Sequence, residues 1–355
     1  MADGHKDDFE IDPELDAIWQ KTGRPKFFFA KADKITGSRQ LHARGNVRFM
    51  KSKFVKETLG TTSPQPWTEE DRSIVVRDGA AITIRIYQPR SSSDSCPVMV
   101  FAHSGGWCIG GLETEEFICQ LLCIKLNIII VSVAYRLAPE VSYPTICYDV
   151  YDAMRWVSVN AHTFGGDLSK GFISGGVSGG GNLTMAATML AREDELRPKL
   201  TGHLFICTGM PHVYKDLQGG KCNLFPEQLA SGSWETYKNG PVANRAMCDV
   251  YADMARCNAN DPLFTPLNLT DFSRLGPIYY QIAGMDMWKD SALFYCDKVK
   301  EAGGSVKMDL YPGVPHVWYS MYPGLSINKK WVRDLVTGVG WLLNQKPESQ
   351  IAPRL

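Results

Sequence analysis

The chain has 355 residues, 38 basic and 38 acidic side chains and therefore no formal net charge. A composition of 44% hydrophobic and 21% charged residues suits a globular protein built as one large core with an insertion. That balance gives no electrostatic ground for nucleic acid or an anionic membrane surface as partner, and no apolar run reaches the roughly 18–20 residues of a spanning helix.

The first residues lack a basic stretch followed by an apolar one, so the cytosol is the expected compartment. Ten scattered cysteines show no paired metal-type spacing and are expected to be reduced, small core residues. Asp12-Pro13-Glu14 is a helix start signal, with a capping acid and a proline at the first helical position; Leu15, Ile18 and Trp19 share one face behind it. From 21 to 56 the chain is strongly basic (Lys26, Lys31, Lys34, Arg39, Arg44, Arg48, Lys51, Lys53), with Phe27-Phe28-Phe29 inside it. Such a segment reads either as a solvated face over the core or as a basic lip for an anionic substrate or an acidic carrier protein.

From there the pattern alternates. Strands are expected at 73–77, 82–87, 98–102, 128–133, 171–174, 204–207, 278–282 and 306–310. Helices are expected at 113–126, 148–159, 180–192, 291–302 and 328–343. The first two strands alternate like a hairpin, while later ones are short continuous apolar runs, as in a parallel sheet buried on both faces. Repeated strand–helix alternation implies helices on both sides of a mostly parallel sheet. Residues 210–260 interrupt the alternation. The expected organisation is thus a core of 56–209 and 261–355, with 1–55 and 210–260 forming a helical cap.

The chemistry lies where strands end. Gly176-Val177-Ser178-Gly179-Gly180 fits the G-x-S-x-G elbow, a strand-to-helix turn that presents a nucleophilic serine. A serine nucleophile needs a base, a group to orient that base and donors for the oxyanion. The strand at 98–102 runs into His103-Ser104-Gly105-Gly106-Trp107, a glycine loop whose amides, with that of Gly179, suit an oxyanion hole. Asp286 follows the strand at 278–282, and Asp290 lies one turn further on. Of seven histidines only His316 lies after Asp286, in the loop behind the strand at 306–310. His5, His42, His162, His203 and His212 have no such setting. The order Ser178, Asp286, His316 is that of α/β-hydrolases. A dinucleotide-binding reading of 175–181 fails because Ser178 takes the place of the middle glycine. No cofactor and no metal are called for, since this chemistry needs neither. Trp107, Trp288 and Trp318 each adjoin one of these residues and are expected to line the substrate pocket.

These residues resemble the hormone-sensitive-lipase-like branch of the α/β-hydrolases, which includes arylacetamide deacetylase and many microbial carboxylesterases. The most specific piece is Tyr135-Arg136-Leu137-Ala138-Pro139-Glu140, supported by Gly165-Gly166-Asp167 and Asp261-Pro262-Leu263, and the likeness covers roughly 70–345. Family members carry Gly-Asp-Ser-Ala-Gly at the elbow; here Val177 and Gly179 stand in place of the Asp and Ala, which predicts a less polar oxyanion wall. The resemblance implies an α/β-hydrolase fold with an eight-stranded sheet (the eight strands above), and a metal-independent serine carboxylesterase acting on a small or medium ester. It implies Arg136 and Glu140 as braces of the loop beneath the site, and a homodimer through the last strand and its helix. Two other readings remain open on the same fold. One is a natural-product enzyme performing dehydration, cyclisation, lactone or thioester chemistry with the same triad. The other is a non-catalytic small-molecule receptor, against which the retained His316 argues.

Overall fold

The computed structural model describes residues 10–25, 34–90, 95–209, 229 and 232–344. His5, His212, Phe27-Phe28-Phe29 and nearly all of 210–231 lie outside them. The sheet has eight strands in the order β1-β2-β4-β3-β5-β6-β7-β8. They are β1 (Trp67–Val75), β2 (Ala81–Pro89), β3 (Val98–Ala102), β4 (Ile129–Ala134), β5 (Phe172–Val177), β6 (Gly202–Ile206), β7 (Ile278–Ala283) and β8 (Val306–Tyr311). β1 and β2 form an antiparallel hairpin, β2 is antiparallel to β4, and the other pairings are parallel.

The central strands are short because each is buried on both faces: every residue of β3, β5, β6 and β7 is buried. Two apolar layers lie on the sheet. One joins Ile84, Val100, Val131 and Phe172 to α5 (Thr145–Asn160) and α6 (Ser178–Glu193); the other joins Phe101, Ile130, Ile173 and Leu204 to the helices Glu116–Leu126 and Ile327–Leu343. All nine described cysteines are buried, as expected of small core residues.

The parallel register sets the site. Ala102 of β3 pairs with Gly176 of β5, so the loop after β3 and the elbow after β5 leave the sheet side by side. β7 and β8 are paired along their length, from Ile278 opposite Val306 to Ala283 opposite Tyr311, and deliver the next two loops to the same edge. The N-terminal helix, Pro13–Thr22, is capped by Asp12 as its sequence predicts, the carboxylate accepting the Glu14 and Leu15 amides. Its cap also donates its own amide to Gly313 O at 3.0 Å, and Trp19 donates to the Tyr322 hydroxyl at 2.9 Å, so the helix leans on the segment that carries His316.

Candidate active site

Ser178 opens α6 and holds φ = 53°, a left-handed conformation that a residue with a Cβ adopts only under strain. The turn stays sharp because its neighbour at 180 is glycine: a Cβ there would lie 2.2 Å from His103 O and 2.4 Å from Ala102 O. Ser178 is 8% exposed.

The Ser178 hydroxyl donates to His316 Nε2 at 2.7 Å, and His316 Nδ1–H donates to Asp286 Oδ2 at 2.5 Å. The other Asp286 oxygen accepts the Trp288 amide at 3.1 Å, which fixes the carboxylate plane. Asp286 and His316 are 3% and 5% exposed, so both lie where water is largely excluded. Asp290, the rival acid, turns away to accept the Ser233 amide. Cys207 joins this cluster, its sulfur and the Asp286 and His316 donor atoms all lying within 4.8 Å. Both ring nitrogens of His316 are already hydrogen-bonded, and burial pushes the Cys207 thiol up, which disfavours the thiolate that a cation would need.

Gly105 and Gly106 have positive φ (127° and 54°) and line the cavity above Ser178. Among the described residues neither amide meets an acceptor, whereas the Gly105 carbonyl is held by the Cys108 and Ile109 amides at 3.1 Å each. Gly179, in the first turn of α6, also lines this cavity and faces Gly106 directly: a Cβ at 179 would be 2.9 Å from both Cα and N of Gly106. Two unbonded amide donors beside a helix N-terminus are an arrangement able to receive developing negative charge.

The cavity has a volume of about 520 Å³. Trp107 and Trp288 are on its wall, and the Trp288 ring meets the His316 ring edge-on at 5.2 Å. Trp318 is not on that wall. The turn after His316 sends it inward, fully buried against Tyr311, Tyr319 and Trp331. Val177 likewise points into the core rather than toward the oxyanion, so it does not make the oxyanion wall less polar. The basic segment divides: Arg39 bonds both Glu140 oxygens at 2.7 Å, while Arg44 and Arg48, on Ile35–Met50, reach the cavity mouth. Arg136 binds buried Asp149 and also Asp78, a brace as its position implied. Sequence reading missed Glu115, a cavity residue only 7% exposed, whose Oε2 accepts the Ser104 amide at 2.8 Å. An acid at a helix start reads as ordinary in sequence; only the fold reveals its burial.

A model of the α/β hydrolase fold family matches residues 99–320. A protein of the AB hydrolase superfamily from Schizosaccharomyces pombe is 32% identical over 342 residues, 94% of each chain. The versiconal hemiacetal acetate esterase of Dothistroma septosporum is 28% identical over 284 residues, 79% of this chain and 84% of that one. Among solved structures, vibralactone cyclase aligns with a TM-score of 0.84 at 29% identity, over 96% of both chains. The chain belongs to the α/β-hydrolase family. Within it, the Tyr135–Glu140 segment and these relatives put it in the hormone-sensitive-lipase-like branch.

Proposed function

We propose that this protein is a serine carboxylesterase that uses Ser178, His316 and Asp286 as its triad. One observation carries the reading: the unbroken hydrogen-bond chain from Ser178 Oγ through both nitrogens of His316 to Asp286, lying under two glycine amides that bond nothing else described. The protein is a carboxylic ester hydrolase, as its family and its esterase relative support.

Ser178 Oγ attacks the ester carbonyl carbon while its proton passes to His316 Nε2. Asp286 holds the ring in the tautomer that accepts there and stabilises the imidazolium that forms. The carbonyl electron pair moves onto oxygen and is received by the Gly105, Gly106 and Gly179 amides, each worth about 3–4 kcal/mol in the transition state. Collapse expels the alcohol, which takes the proton from His316, and leaves an acyl-Ser178. A water then gives its proton to the same Nε2, attacks the acyl carbon and releases the acid. No metal or cofactor enters these steps.

The substrate is a small or medium carboxylic ester, with an aromatic or polycyclic part suited to a cavity walled by Trp107, Trp288, Phe117 and Tyr251. The helices Ile35–Met50 and Arg245–Met254 contribute to this wall and serve as the two halves of a cap. A second reading draws on the likeness to vibralactone cyclase. There the acyl-Ser178 is attacked by a hydroxyl of its own acyl group instead of water, and a lactone leaves. Ser178→Ala is expected to be folded, to hydrolyse a short-chain aryl ester no faster than background and to escape labelling by a fluorophosphonate. Full labelling of that variant sinks the assignment. Product analysis with a hydroxy-ester, acid against lactone, separates the two readings.

A further inference from the structure

We propose that Glu115 is a positioning residue for the oxyanion hole: its carboxylate grips the Ser104 amide and so fixes the Gly105–Gly106 segment with its amides unbonded at the cavity wall. The inference rests on the reading of Gly105 and Gly106 as oxyanion donors. The loop is anchored at successive points. The Tyr135 hydroxyl donates to His103 O at 2.7 Å, His103 Nδ1–H donates to Ser104 O at 2.7 Å, and the Ala138 amide donates to Trp107 O at 2.9 Å. Ser104 is therefore pinned at both its carbonyl and its amide, and the second pin is an ionisable side chain. It is also the residue directly before the two glycines, so a rotation of its peptide carries them with it.

Glu115 is unusual for a carboxylate. It is buried and has no ion pair among the described residues; the hydrogen bonds of its carboxylate run to Ser104 alone. Burial accordingly pushes its pKa up to about 7. The groups around it stay neutral over this range. Cys119 on its own helix, Tyr135 after β4 and Tyr319 beyond His316 are all raised well above their usual values by burial. His103 in the loop and His42 across the cavity are pushed down to about 4. The charged neighbours that remain are Glu116 beside it and Arg44 and Arg48 at the exposed cavity mouth, the arginines lying among solvent that screens them. An ionised acceptor bonds an amide more strongly than a neutral one. The loop is thus held most firmly above pH 7, and it loosens as Glu115 takes up a proton below that.

Protonation of Glu115 then lowers kcat/KM by a partial step near pH 7. The test measures pH–rate profiles and melting temperatures of wild type, Glu115→Gln, Glu115→Ala and Ser178→Ala. Glu115→Gln keeps a neutral acceptor for Ser104. It should lose about 3–10-fold in kcat at pH 8 and less at pH 6, so the partial step of that size that the wild type shows near pH 7 should be missing from its profile. Glu115→Ala orphans the Ser104 amide and should lose about 30-fold or more in kcat, with KM within about 2-fold. A Glu115→Gln profile that superimposes on wild type with unchanged kcat overturns the proposal, whether or not Glu115→Ala folds. Retained turnover in Ser178→Ala would instead overturn the serine reading beneath it, so the two failures are distinct.

Discussion

At the scale of single residues, Gly179 explains how the elbow and the loop after β3 come to touch. The family pattern has alanine at this position, and here an added methyl would sit 2.9 Å from two backbone atoms of Gly106. Real carbon atoms do not approach so closely, so the loop would have to retreat. On its other side Gly106 is backed by Tyr251, against which a Cβ at 106 would lie at 2.4 Å, so the segment has little room to move. Gly179→Ala should therefore displace the Gly106 amide from the oxyanion and cut kcat by about 10-fold or more, with little change in KM. An unchanged kcat in a folded variant refutes this. That Ser178, Asp286 and His316 meet was legible in the sequence because the proposed chemistry restricts both residue types and chain order. Trp318 and Glu115 were not, because neighbourhood in sequence does not say which way a turn aims a side chain. Trp318 adjoins His316 by two positions and is buried behind it, whereas Glu115 lies eleven residues from Ser104 and bonds it.

At the scale of elements, strands buried on both faces announced themselves and the exposed edge did not. β3 was read at its true limits because all five of its residues are apolar and buried. β1 begins at Trp67, six residues before the expected start, since Thr68–Arg72 is a polar run on the sheet edge, held by its ladder to β2 rather than by burial. Helix α5 starts at Thr145 because Pro144 fits the helix entry, a boundary that apolar periodicity cannot set. Arg136 ties these elements together. From the end of β4 it binds Asp149 in α5 through its backbone amide, Nε and Nη2, and it reaches Asp78 in the β1–β2 turn through Nη1. Asp149 is fully buried, so truncating its partner leaves a carboxylate with no cation in an apolar layer. Arg136→Ala should cost about 3–5 kcal/mol in urea unfolding. Arg136→Lys should recover only part of it, because an ammonium lacks the fork that holds both oxygens. A loss below about 1 kcal/mol for the alanine variant would mean that Asp149 finds water instead.

At the scale of the whole molecule, buried titratable groups oppose one another and set a pH window. His103 and His203 are 1% and 2% exposed, and burial lowers both from 6.5 to about 4. Buried His203 hydrogen-bonds the Ser174 hydroxyl through Nδ1 at 2.7 Å. Between pH 6.5 and 4 the unfolded chain binds protons at these positions and the folded one does not, so stability falls as the pH falls. Each histidine contributes at most about 3 kcal/mol to that loss. Glu115 acts in the opposite direction. Its pKa rises from 4.5 to about 7 on folding, so the stability tied to its protonated form is full below 4.5 and is lost as the pH rises through 7. Two histidines outweigh one carboxylate, so stability should rise from pH 4.5 to about 7 and level off there. Catalysis asks for the reverse at Glu115, an ionised carboxylate, so activity should go on rising as the pH passes 7, where stability no longer gains. Melting temperatures from pH 4.5 to 9, set beside kcat/KM over the same range, test this directly. His203→Gln should flatten the rise between pH 4.5 and 6.5, and Glu115→Gln should steepen it. A melting temperature constant between pH 4.5 and 6.5 would show that these histidines are already solvated in the folded protein.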